Sequence, residues 1–120
     1  MFYRFILNEA RTEVITFTQD EAPSEYFEWW RLADTESIHQ LRQTQLGEFL
    51  VSTILLPYPR NMIEVYVNSK AKPLMFETMI FKNGSKYEEP DDEMIYLSGG
   101  IQEALNVHEG VVKALQEKIK

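Results

Sequence analysis

Glu77 lies in the stretch LMFETMIF. The alternation of a β-strand there sends Leu74, Phe76, Thr78 and Ile80 to one face and Met75, Glu77, Met79 and Phe81 to the other. A carboxylate among thioethers and aromatic rings has its pKa raised unless a partner holds it ionised, and that is the environment of a general acid or base. His108 is the second candidate, because it falls in the apolar stripe of the C-terminal segment. If that stripe packs on the Glu77 face, the two side chains meet as a base with its orienting carboxylate, or as a buried structural link. The plainer readings are a structural ion pair for Glu77 and a hydrogen-bonded core histidine for His108. His39, on a polar segment, reads as a surface residue.

A set of binding groups stands beside this pair. Ser52 and Thr53, within an apolar run, and Thr78 could donate hydrogen bonds to a ligand or to the backbone. Arg60, next to Asn61 at the end of that run, could hold an anion. Trp29 and Trp30 could form a stacking platform or an interface anchor, with core packing expected for at least one of them. A nucleotide-like ligand would have to draw its positive charge from Arg60, Arg31 or Arg42.

Other chemistries lack their motifs. The sequence has no GxSxG elbow, no HExxH spacing and no glycine-rich phosphate loop, and Gly99-Gly100 reads as a turn before a helix. Without cysteine there is no disulfide, thiolate metal site or cysteine nucleophile, so neither metal nor cofactor is expected. The net charge of -7, with scattered basic residues, argues against duplex nucleic acid as a partner. The opening residues do not resemble a secretory signal and no apolar run approaches a membrane span, so a cytosolic protein is expected.

The elements that must position these groups fit one domain of 120 residues, 44% hydrophobic and 26% charged. Phe2 to Leu7 and Glu13 to Thr18 read as a hairpin around a polar turn. A helix is expected from Ser24 through Ala33, with Tyr26, Trp29, Trp30 and Ala33 in one stripe, and a further helical turn or two from Ile38 to Leu46. Phe49 to Leu56, uncharged and apolar on both faces, should be an interior strand ended by Pro57 and Pro59. Met62 to Val67 reads as a strand, with Ile63, Val65 and Val67 on one face, and Leu74 to Phe81 as another. Asn83-Gly84 signals a turn, Glu88 to Glu93 a loop, and Met94 to Leu97 a short last strand. A helix from Ile101 to Ile119 closes the pattern. The expectation is an α+β fold: a mainly antiparallel sheet of about five or six strands, one helix in the N-terminal half and a long C-terminal helix. Strands apolar on both faces need more cover than these helices supply, so a homo-oligomer is expected, most simply a two-fold dimer.

A group of small, mostly phage-encoded proteins is similar to this chain over about Glu25 to Val112. The matching positions are Thr44, Ser52, Thr53, Leu55, Phe76, Glu77, Thr78, Met79, Phe81, Tyr96, Ala104 and His108. They fall in an STVxL-type strand, an FETMVF-type strand and a helical AxxxH. The FETMxF string is the most specific of these. Where that group continues with a glycine and an Asp-His pair, this chain has Leu56, Pro57 and Tyr58, and its Tyr96-to-Ala104 spacing is longer.

The resemblance implies a phage or prophage context. It implies an accessory protein that acts by binding a host or defence protein, or by sequestering a small anionic, nucleotide-like ligand. Two other readings stay open. One is a small hydrolase or isomerase using Glu77 and His108 as an acid–base pair, and the other is a structural assembly component.

Overall fold

The computed structural model describes residues 3–18, 24–68, 70–82, 85–86 and 95–118. Strands β1 (Tyr3–Leu7) and β2 (Val14–Thr18) form the expected antiparallel hairpin. Asn8 organises its turn: its Oδ1 accepts from the backbone N–H groups of Thr12 (2.8 Å) and Glu13 (3.0 Å). The hairpin is a sheet of its own, tied to the rest by Phe5 N–H donating to the Pro57 carbonyl at 3.2 Å. Helix α1 (Ser24–Glu36) runs one turn past Ala33 and buries Tyr26 and Ala33. Trp30 Nε1–H donates to the Phe5 carbonyl at 2.7 Å, so α1 lies on the hairpin.

The main sheet is antiparallel and five-stranded, built from β3 (Gln40–Leu46), β4 (Phe49–Leu55), β5 (Phe76–Lys82), β6 (Ser85–Lys86) and β7 (Ile95–Ser98). Its order is β3-β4-β5-β6, with β7 sharing the same edge of β5. As expected, β4 is interior, between β3 and β5. Helix α3 (Ile101–Lys118) covers one face, burying Ala104, His108, Val111, Val112 and Leu115. Phe49, Val51 and Ile80 meet Val111, Val112 and Leu115, while Leu55, Phe76, Met75 and Ala104 meet Phe5 and Leu7 of the hairpin. Met75 therefore joins the covered core rather than the Glu77 face. It precedes β5, where strand alternation has not yet begun.

Two segments differ from expectation. Residues 40–46 are strand, not helix. Gly47, at φ 60°, and Glu48 make a two-residue hairpin loop with glycine first, the pattern of a type II′ turn, and this folds β3 back onto β4. Leu41 is an extra residue in the β3–β4 register, a bulge that sends it into the core against the hairpin cluster.

Residues Met62–Val67 form a short helix, α2, not a strand. The segment joins neither β4, whose flanks are both occupied, nor the free edge of β3. Asn61 instead clamps it: its Nδ2 donates to the Lys72 carbonyl at 2.9 Å and its Oδ1 accepts from Leu74 N–H at 2.8 Å. Only Val65 of the helix is buried, whereas Ile63 and Val67 are 79% and 74% exposed. The expected turn at Asn83-Gly84 and loop at Glu88 to Glu93 lie outside the described residues. Among the described residues no helix is long and apolar enough to cross a membrane.

Candidate functional site

Strand alternation divides the candidate residues between the two faces of the sheet. Thr53 and Thr78 are cross-strand neighbours on the α3 side, and His108 descends onto them from the helix. His108 Nδ1 lies 2.8 Å from Thr53 Oγ1 and its Nε2 lies 2.8 Å from Thr44 Oγ1, while the Thr53 and Thr78 hydroxyls are 2.7 Å apart. The imidazole, Thr53 and Thr78 are fully buried. Burial lowers the His108 pKa; Glu109 opposes this and Arg42 adds to it. The ring is therefore neutral, donating to one threonine and accepting from the other. Each threonine hydroxyl can donate or accept, so the chain is satisfied in either direction.

Glu77 points the other way. It is 5% exposed and is held in an ion pair by the guanidinium of Arg60. The acid–base pair proposed for Glu77 and His108 is thus not made. The histidine stripe packs on the Thr78 face, and each of the two side chains has different partners. For Glu77 and His108 alike the plainer reading matches the observed geometry.

The open face of the sheet carries a groove of about 600 Å³ over β3, β4 and β5. Its floor includes Leu50, Ser52, Ile54, Met79 and Phe81, and glutamines 40, 43 and 45 line the β3 side. Ser52 is roofed by Gln43, whose amide donates to its hydroxyl. Gln45 turns back to the carbonyls of Gly47 (2.7 Å) and Phe49 (2.9 Å). His39 closes one end, and desolvation lowers its pKa; Asp34 opposes the shift and Arg11 adds to it. Its Nδ1 is buried and finds no partner among the described residues. Glu77 is the cross-strand partner of Ile54, so the Arg60–Glu77 pair stands beyond Ile54 on this same face.

Of the residues singled out in the sequence, Ser52 lines the groove and Glu77 with Arg60 flanks it. Thr53, Thr78 and His108 form the sealed cluster behind it. Trp29 and Trp30 pack edge to face at 4.9 Å against the hairpin core; Trp30 also meets the His39 ring at 5.8 Å, behind the end of the groove. The glutamines and His39 were missed because residues 38–46 read as helix and surface. The Gly47-Glu48 loop between two apolar residues was the signal for a hairpin there. Among the described residues no group of three His, Asp or Glu side chains is placed to hold a metal ion.

Comparison with family models, with curated proteins and with solved structures finds no match to this chain.

Proposed function

We propose that this chain is a small phage-type accessory protein that works by binding another protein, with the open face of the five-stranded sheet as its recognition surface. The observation that carries this reading is the groove: an open trough with a floor of leucine, methionine and phenylalanine and a rim of glutamine amides, in which Glu48 is the one carboxylate among the described residues. Apolar floors with neutral hydrogen-bonding rims suit protein surfaces, where aromatic and methionine contacts supply most of the binding energy. A phosphate-bearing ligand fits less well. The cations that would have to attract it are engaged elsewhere, Arg31 with Glu28, Arg42 with Glu109 and Arg60 with Glu77.

The phage context, the host cytosol as the place of action and a host or defence protein as target rest on the resemblance of the FETM strand and its companion motifs. The test pairs affinity capture from host lysate by the unmodified chain with capture by Phe81→Lys. A protein retained by the first and lost with the second supports the reading. A nucleotide that raises the melting temperature of the purified chain, with no protein retained, would replace it with ligand sequestration.

A further inference from the structure

We propose that β3 is the seam of a two-fold homodimer, its free edge pairing antiparallel with β3 of a second copy about an axis through Thr44. Among the described residues the main sheet ends on one side in β3, which pairs only with β4, and on the other in the short strands β6 and β7, so β3 is its longest free edge. The hairpin loop sets which backbone groups face outward. A two-residue loop makes Leu46 and Phe49 a hydrogen-bonded pair, so Thr44 with Val51 and Arg42 with Thr53 are hydrogen-bonded pairs as well. The N–H and C=O groups of Gln43 and Gln45 then point away from the sheet, and among the described residues no backbone partner meets them.

Natural sheets blunt such edges with lysine, proline, bulges or very short strands. β3 is seven residues long and contains no proline, lysine or carboxylate. Its one charged side chain, Arg42, is paired with Glu109, and its bulge is confined to Leu41, leaving Arg42 to Leu46 regular.

A second copy fits this edge for reasons of charge and register. Two chains of net charge -7 repel each other and can meet only where carboxylates are missing, and β3 is such a place. Thr44 is the centre of the regular stretch. A two-fold axis there sets Gln43 opposite the second copy's Gln45, and each such pair exchanges both N–H···O bonds. An axis at Gln43 would bring the bulged Leu41 into the ladder, and an axis at Gln45 would run it into the Gly47 turn. Glutamine amides, donor and acceptor in one group, are self-complementary across such a seam. Gln43 and Gln45 also line the groove, so the two grooves would meet at the axis and form one trough. The proposal uses the same open face as the binding reading, but its test needs no partner protein.

The experiment is sedimentation equilibrium of the purified chain. The unmodified chain is expected at twice the chain mass. Gln45→Pro removes the outward N–H, which an edge strand tolerates, together with the side-chain bonds to the Gly47 and Phe49 carbonyls, and is expected to give a folded monomer. Gln43→Glu/Gln45→Glu places like charges opposite each other and is expected to weaken the dimer roughly tenfold or more. Gln43→Lys/Gln45→Glu places opposite charges together in this register and is expected to restore it. Should Gln45→Pro fail to fold, the two charge variants decide. A monomeric unmodified chain, a dimer indifferent to the charge variants, or a folded Gln45→Pro dimer overturns the proposal. So does an edge occupied only by a different protein's strand. None of these results alters the outcome of the Phe81→Lys capture.

Discussion

His108 has both ring nitrogens on threonine hydroxyls, with no carboxylate among its hydrogen-bond partners, so an imidazolium there would lose its hydration without a paired counter-charge. Its pKa is lowered on folding, so the unfolded chain binds the proton more readily near and below the ordinary value of about 6.5. Stability is therefore complete above about pH 7 and falls as pH drops below 6.5. Partly buried His39 is shifted in the same direction and adds to the slope. Urea unfolding across this range should show the decline, with His108→Gln flattening it more than His39→Gln. An imidazole resonance of His108 titrating at or above 6.5 would contradict the assignment. At Glu77 the expected effect comes from removing its partner. Arg60→Ala should destabilise by about 1–2 kcal/mol, below the usual cost of breaking a buried pair because the guanidinium side chain is 53% exposed to screening water. Arg60→Ala/Glu77→Gln should recover most of that loss in the same denaturation assay.

The turn between β3 and β4 concentrates its conformational demand on Gly47, at φ 60° with open space around the position of a Cβ. Gly47→Ala should thus cost about 1 kcal/mol from backbone strain alone, read as a lower urea midpoint with an unchanged slope. This turn also explains where sequence reading succeeded and where it did not. β4, β5, α1, α3 and the hairpin were legible because their apolar periodicity agrees with the element each adopts. Residues 40–46 hold three glutamines, good helix formers, and their strand character comes from the turn and from pairing with β4. MIEVYV alternates like a strand, yet it joins no sheet edge and Asn61 holds it as a helix. The candidate site was legible to the same extent. Ser52, Glu77 and the sealed threonines followed from alternation, but which face α3 would cover did not. With β3 misread, the glutamine side of the groove could not be seen.

The molecule as a whole is a covered sheet with a smaller hairpin attached. β4 has strands on both sides and α3 over one face, whereas β2 has a single strand partner and a largely exposed surface. Local opening should therefore release β2 well before β4. Hydrogen exchange resolved by peptide is expected to show β4 amides as the slowest and β2 amides as the fastest in strands, and equal protection would argue for a single cooperative unit. A different consequence follows from the clamp at Asn61. Arg60 N–H donates to the Leu74 carbonyl at 2.9 Å, and Leu74 N–H donates to the Asn61 side chain, so the chain comes back almost to the point it left. Residues 62–73 are in effect a detachable cassette between two adjoining ends. Replacing them with a brief glycine-serine bridge should leave the rest of the architecture standing, visible as an unchanged amide fingerprint of β4 and β5, and natural insertions of other lengths could be accommodated at this same port.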